Sequence, residues 1–419
     1  MEGSESGAAG RAGGPVAARR IALVCDWFLP RAGGIELHLR DLAQRLAANG
    51  REVCVVTPTP GDDVVDGIRV HRVPGPRVPG LGFVYTRPSI TAIGDVLARE
   101  RVDVAHCHVS IVSPAALGGA YEAQRRGIAG VLTFHSIVPR TDMLMRAVRI
   151  ATGAGRWPVV FSAVSDLVAR AARPIAGGAP IEILRNGIDP DWWRAHPATP
   201  GRETTAEAGP RRIELVSVMR LNAKKRPFVL VELMRSLAKT LPGDRTVRLR
   251  IAGDGPLWMG IDEAIRREGL AERVELLGQL SREDVRALLA ASDAFVLPSP
   301  RESFGLAAME ARCAGLPVVA MAQSGVAEFI RHGTEGLLAR SDREWISAVA
   351  RLVSDDALRD RMTAHNREAA PDWDWDRAVD QHLTLYERAV TLAAARGGAS
   401  DRPRPVSRAL HIQSPPPGS

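Results

Sequence analysis

Residues 21–58 read IALVCDWFLPRAGGIELHLRDLAQRLAANGREVCVVTP, and the order of patterns in them decides the fold. The run from Ile21 to Phe28 is short and apolar, as a buried strand is. A loop holding Gly33 and Gly34 follows. From Ile35 to Ala48 apolar residues then recur at helical spacing, until Asn49 and Gly50 close the helix. Glu52 to Pro58 reads as strand again. Strand, helix and strand within 38 residues form one βαβ unit, which implies a parallel sheet with helices on its faces.

Working outward, the alternation continues with buried strands expected at 102–109, 130–135, 159–164 and 181–184. The polar segment 197–212, with Pro200, Gly201, Gly209 and Pro210, reads as an interdomain linker. A second sheet is expected from strands at 213–219, 247–252, 274–277, 294–297 and 317–321. Helices are expected at 256–268, 281–291, 341–369 and 375–395, the second opened by a capping box of Ser281 and Asp284. The expected organisation is a flexible tail over 1–18, a first domain over 19–196, the linker, a second domain over 213–372, a closing helix over 373–396 and a second tail over 397–419. Both domains read as α/β, doubly wound around parallel sheets. Such folds bind ligands at the carboxyl ends of their strands.

Composition narrows the function. The chain has 419 residues, 45% hydrophobic and 25% charged, so two domains with real cores are expected rather than a disordered chain. Of the formal charge of +7, the first 20 residues carry +1 and the last 24 carry +3. The remaining +3 on the middle argues against nucleic acid as partner, because that binding needs a basic patch on the folded surface. No run reaches membrane-spanning length, and the apolar stretch before Pro30 is broken by Asp26, too short for a signal peptide. A cytoplasmic protein is expected, with peripheral contact at the inner face of the membrane as a weaker reading. Cys25, Cys54, Cys107 and Cys313 form no paired motif and read as buried thiols of a reducing compartment.

The most informative motif runs from Glu302 through Ser303, Phe304, Gly305 and Leu306 to Glu310, directly after a buried strand. Gly305 stands where strand turns to helix, so backbone amides there face an anion of phosphate size. Glu302 and Glu310 lie about 12 Å apart if wholly helical, at ~1.5 Å per residue, enough to straddle a diphosphate. Arg220 to Lys225, Gly253 to Pro256 and Ser324 to Glu328 also follow strands of the second sheet. Lysine occurs only at 224, 225 and 239, so its presence in the first of these loops looks selected.

These motifs, with Gly33-Gly34-Ile35-Glu36, His135 in Thr133-Phe134-His135-Ser136, Asn186-Gly187-Ile188-Asp189 and Trp375, make the chain resemble the retaining glycosyltransferases of family four, the glycosyl transferases of group 1. The resemblance runs from about Ile21 to Tyr386 and implies the GT-B fold, two Rossmann-like domains facing a central cleft. It implies an acceptor-side first domain, a nucleotide-sugar-binding second domain and a closing helix that crosses back to the first. It further implies that Arg220 and Lys225 grip the donor diphosphate, with Lys224 left open as the alternative. Glu302 would contact the sugar, beside the backbone of Ser303, Phe304, Gly305 and Leu306, and Glu310 the ribose. Gln279 and Leu280 would border the base and Gly253 would allow close packing beside them. Gly33 and Gly34 would approach the diphosphate, and His135 the donor sugar. Arg226 stands where the family usually has Gly.

The reaction so implied is transfer of a sugar from a nucleotide diphosphate to an acceptor hydroxyl by metal-independent front-face attack. The acceptor class, whether glycan, lipid or small molecule, stays open, as does the base. Two alternatives are an epimerase of sugar nucleotides and a non-catalytic sugar-nucleotide-binding protein. Three lesser signals are read as structural. His106 and His108 share a strand face, with Cys107 opposite, and are expected to line the cleft at the strand end rather than to bind a metal. Asp372-Trp373-Asp374 reads as surface and capping residues rather than the Asp-x-Asp of metal-dependent transferases. The stretch 140–156, with Met143, Leu144, Met145, Val148 and Ile150, reads as core packing with an arginine face.

Overall fold

The computed structural model describes residues 18–397 except 32, 76, 79–81, 84–85, 111–112, 138–145, 147–148, 151, 195–210, 242–244 and 370. Both expected tails, apart from Ala18 and Gly397, and the linker up to residue 210 lie outside the described residues, as do Met143, Leu144, Met145 and Val148.

The first sheet contains β1 (Arg20–Cys25), β2 (Glu52–Thr57), β3 (Val64–Val65), β4 (Ile68–Arg72), β7 (Val104–Val109), β8 (Ala129–Phe134), β9 (Val159–Ala163) and β10 (Ile181–Ile183), in the order β10-β9-β8-β7-β1-β2-β4-β3. Every pairing is parallel except that of β3 with β4. A small antiparallel pair, β5 (Arg77–Val78) and β6 (Gly82–Phe83), stands apart. The second sheet, wholly parallel, contains β11 (Arg211–Val218), β12 (Arg245–Ala252), β13 (Val274–Gly278), β14 (Ala294–Leu297), β15 (Val318–Met321) and β16 (Gly336–Ala339), in the order β13-β12-β11-β14-β15-β16. Strand β16 escaped the sequence reading because Gly336-Leu-Leu-Ala is only four residues long and lacks β-branching.

The described helices are α1 (Gly34–Ala48), α2 (Arg87–Arg99), α3 (Pro114–Arg125), α4 (Asp166–Ala176), α5 (Pro190–Arg194), α6 (Phe228–Thr240), α7 (Trp258–Arg267), α8 (Arg282–Ala290), α9 (Leu306–Cys313), α10 (Asp342–Ser354), α11 (Asp356–Glu368) and α12 (Trp375–Gly397). Residues along β1 alternate between two cores. Ala22 and Val24 face the α3 side, while Ile21, Leu23 and Cys25 face Leu39, Leu42 and Leu46 of α1. Helix α12 covers that second face with Trp375, Ala378, Val379, Leu385, Tyr386 and Ala389, all buried, so the last helix completes the first half's core. Asp26 caps α3 by accepting the amides of Ala115 at 3.1 Å and Ala116 at 3.4 Å.

Several expectations need correction. The single helix expected over 341–369 is two, because Asp355 (φ −105°, ψ 92°) ends α10 and caps α11 through the Leu358 amide at 2.9 Å. Arg211 and Arg212, placed in the linker, begin β11. Ala18, placed in the tail, is buried. Ser281 does cap α8 through the amide of Asp284, but Asp284 accepts from the Ser281 hydroxyl and not from its amide. Ile150 is 77% exposed rather than packed in a core. Trp373 is not a surface residue: it stacks among Phe304 and Phe329 while Asp374 caps α12 through the Arg377 amide. All four cysteines are buried and free. No helix among the described residues is long and apolar enough to cross a membrane.

Candidate functional site

The carboxyl ends of both sheets meet in one cleft, joined where the loop after β14 touches the first half. The Ser303 hydroxyl accepts the Ile137 amide at 3.2 Å, and the Ser303 carbonyl accepts the Ser165 hydroxyl at 2.6 Å. Glu328 accepts the Leu167 amide at 3.1 Å and pairs with Arg185. Ser303 is therefore a clasp between the halves through its side chain and carbonyl. Phe304 turns its ring into the aromatic cluster with Trp373, so what this segment offers a ligand is its backbone.

Two loops of the second half, after β11 and after β14, supply charges to the cleft. After β11, the Asn222 side chain accepts the Lys225 amide at 3.1 Å and folds the loop so that both lysines turn toward Glu302. Lys225 pairs with Glu302 in a short ion pair. Lys224 has its pKa lowered, first by burial and then by the Lys225 charge. Arg220 is exposed, and its guanidinium makes no hydrogen bond or ion pair among the described residues. Arg226 takes the left-handed conformation (φ 57°) that favours glycine, and holds it with a two-pronged ion pair to Asp342.

Gly253 (φ 128°) sits where a Cβ would come within 1.9 Å of the Met219 carbonyl oxygen, so β11 and β12 deliver their loops side by side. Gly305 (φ 96°) caps α9 in the left-handed region, and a Cβ there would strike Val326 at 2.6 Å. The amides of Leu306 and Ala307 open the helix beside Lys225 and Glu302, an arrangement suited to an anion. Gln279 is exposed at the end of β13 and Leu280 packs half-buried beneath it. The Glu310 carboxyl, half-buried on α9, makes no hydrogen bond among the described residues. Burial pushes its pKa up to about 7, with Arg282 opposing and Asp41 reinforcing the rise.

The first half brings the amino end of α1 to the same cleft. Gly33 is extended, and a Cβ on it would meet Glu36 Oε2 at 2.5 Å; one on Gly34 would come 3.4 Å from Leu306 across the cleft. Glu36 is buried and pairs with Arg31 at 3.3 Å. Burial raises its pKa while Arg31 and Arg220 oppose the rise, which sets Arg220 within electrostatic reach of α1. His135, just beyond β8, is 5% exposed and bonded ring to ring with His108 at 2.9 Å. Burial holds it neutral, its pKa lowered to about 3.

The expected residues thus fall at one junction, but two features of it went unread. One is a cross-cleft tie: Arg282, opening α8, donates to Asp41 of α1 at 2.8 Å and lies 4.8 Å from the Trp192 ring. The only sequence signal was an arginine just past the Gln279-Leu280 loop. The other is a cluster of five buried imidazoles, His38, His106, His108, His135 and His382. His108, 2% exposed, does not line the cleft, and neither does His106. His106 is fully buried under α12, with Tyr386 2.9 Å from its Nδ1 and Thr133 2.6 Å from its Nε2. A hollow of about 660 Å³ between β4 and α2 lies apart from the cleft, and its Arg69 and Arg72 already serve Glu100 and the carbonyls of Thr59 and Asp62.

Comparison with known proteins agrees with this geometry. Residues 32–192 match the family model "Glycosyltransferase Family 4" and residues 205–369 match "Glycosyl transferases group 1". The chain is 28% identical to D-inositol 3-phosphate glycosyltransferase of Nocardioides sp., over 88% of this chain and 90% of that one. It is 29% identical to glycogen synthase of Mycobacterium tuberculosis, over 91% and 97%. In fold it is similar to Anabaena HepE, solved with UDP-glucose, with a TM-score of 0.69 and 21% identity over 88% of this chain and 98% of that one. The two parallel-sheet α/β halves around a cleft are the GT-B architecture.

Proposed function

The chain belongs to the glycosyltransferases of group 1 and family 4, and from that premise we propose that it moves a sugar from a nucleotide diphosphate to an acceptor hydroxyl with the anomeric configuration kept. The observation that carries this reading is the convergence of Arg220, Lys224, Lys225 and the amino end of α9 on one side of the cleft. Cleaving the sugar from its diphosphate leaves charge on the departing phosphate, and cations already in place stabilise that charge most as it develops. Arg220 supplies a planar fork and the lysines compact charges. In this reading these cations do the work a metal ion does elsewhere.

Lys225 already holds Glu302, so donor binding exchanges part of that ion pair for phosphate and leaves Glu302 free for the sugar's hydroxyls. Glu310, whose carboxyl makes no hydrogen bond among the described residues, suits the ribose. A double displacement needs a carboxylate nucleophile on the face of the sugar away from the departing phosphate, and Glu302 lies on the phosphate side, beside Lys225. Front-face attack fits better. The acceptor oxygen bonds to the anomeric carbon as the bond to phosphate breaks, the pair of electrons leaves with the phosphate, and the acceptor proton passes to a phosphate oxygen. Four buried free thiols support a reducing compartment.

The test is thermal-shift screening against UDP, GDP and ADP sugars, followed by turnover of the stabilising donor with and without EDTA. Stabilisation by one base, and release of the nucleotide in EDTA with the α- or β-anomeric form retained in product, are the expected results. Loss of turnover in EDTA restored by magnesium overturns the metal-independent step. An epimerised donor formed without acceptor overturns transfer.

A further inference from the structure

We infer that His108 is a positioning residue that fixes the tautomer of His135, so that the His135 ring carries its proton on Nδ1. The inference rests on the reading of His135 as a donor-side residue and adds to it which ring nitrogen can donate.

The ring-to-ring bond joins His108 Nδ1 and His135 Nε2 at 2.9 Å. Burial keeps both imidazoles neutral, so the pair shares one proton in that bond and two arrangements are open. If His135 Nε2 donates, His108 must carry its own proton on Nε2. That atom is sealed from solvent and has no hydrogen-bond partner, so the arrangement leaves an orphaned buried N–H. If His108 Nδ1 donates, the atom left over is a lone pair on His108 Nε2, and interiors tolerate an unsatisfied acceptor better than an unsatisfied donor. The second arrangement therefore wins, and His135 Nε2 is an acceptor with the proton on Nδ1.

The surroundings keep His108 from turning to escape this choice. Its ring packs 3.9 Å, centroid to centroid, from His106. His106 is pinned at both nitrogens by Tyr386 and Thr133, and Thr133 is 2.5 Å from the Ser162 hydroxyl. Tyr386 belongs to α12, so the crossing helix sets the orientation of a cleft residue through two closely packed imidazoles. His135 Nδ1 makes no hydrogen bond among the described residues, which leaves its N–H to whatever the cleft holds.

Imidazole nitrogen NMR on histidine-labelled wild-type protein, assigned with His135→Gln, reads the tautomer directly and needs no altered His108. A protonated Nδ1 on His135 is expected, and a protonated Nε2 overturns the inference. Kinetics then test the consequence. His108→Leu should lower kcat at least tenfold with the donor KM changed less than threefold, and His108→Asn, which keeps an N–H donor at the Nδ1 position, should recover most of it. Equal losses in His108→Leu and His108→Asn overturn the positioning role. Wild-type turnover in His108→Leu alongside loss in His135→Ala overturns it and spares the reading of His135, whereas wild-type turnover in His135→Ala overturns both.

Discussion

At the scale of single residues, the cleft is built from side chains whose charges are left partly unsatisfied. Arg220 is such a case among the described residues, while Lys225, one of only three lysines in a chain otherwise supplied by arginine, has Glu302 as its partner. Lys225→Ala should cost about 2 to 4 kcal/mol of transition-state stabilisation, the usual loss for one oriented electrostatic donor, read as kcat. Near-normal turnover in that variant, with loss in Lys224→Ala, would move the role by one residue. Glu310 makes a prediction with two signs. Its pKa of about 7 lies above the value in the unfolded chain, so its contribution favours folding at low pH and is lost as pH rises toward and through 7. Glu310→Gln should accordingly raise Tm at pH 8 by a few degrees while weakening nucleotide binding, measured by scanning calorimetry and titration on the same samples. A variant that lowers Tm at pH 8 contradicts the burial argument. Of this site, the residue types were legible in the sequence; the pairing of Lys225 with Glu302 across 77 positions was not, because it depends on two loops meeting.

At the scale of elements, the boundaries that could be read were those with local chemistry. Strand β14 was expected where it stands, because four apolar residues between Asp293 and Pro298 leave little choice. Helix α8 begins at the serine that marks it. The break between α10 and α11 was missed because Asp355 lies inside an uninterrupted helical pattern, and only its backbone angles show that it caps the second helix. Helix α12 was read, from the resemblance, as a closing helix that crosses back to the first domain, and the structure adds which side chains it buries there. Truncation after residue 372 would uncover the face of the first sheet now covered by Trp375, Val379, Leu385 and Tyr386, each of whose burial contributes roughly 1.5–3 kcal/mol. The truncated chain should bind hydrophobic dye and lose the fixed near-ultraviolet signal of its aromatic rings. A cooperative unfolding transition unchanged from that of the full chain would show the helix to be dispensable.

At the scale of the whole molecule, five neutral imidazoles lie in one interior, contributed by α1, β7, the end of β8 and α12. Burial lowers the pKa of each, to about 3 for His135 and about 4 for His382; neighbouring imidazoles push the same way for His38, His106, His108 and His135, while the Ala378 carbonyl opposes the fall for His382. Because the folded values lie below the unfolded value of roughly 6.5, their contribution to stability is complete above that pH and is lost as pH falls toward the folded values. Each group contributes a slope of up to about 1.4 kcal/mol per pH unit in that window. Denaturant midpoints measured from pH 7 to pH 4.5 should fall steeply, with several protons taken up on unfolding. A flat profile over that range would mean that the cluster is open to water.

What the sequence determined by itself was whatever is encoded over a few residues: the alternation of strand and helix, the glycines that turn strand into helix, and the charged loops that follow each strand of the second half. Tertiary structure alone decided which of those loops face one another. Asp41 and Arg282 are 241 positions apart and His106 and Tyr386 are 280 apart, so no periodicity relates them. Their meeting is set by the packing of one sheet's strand ends against the other's and by the return of α12 to the first core. Burial, which follows from that packing, then changes the chemistry of groups whose residue types were plain from the start. It leaves Glu310 poised near neutrality and the histidines uncharged.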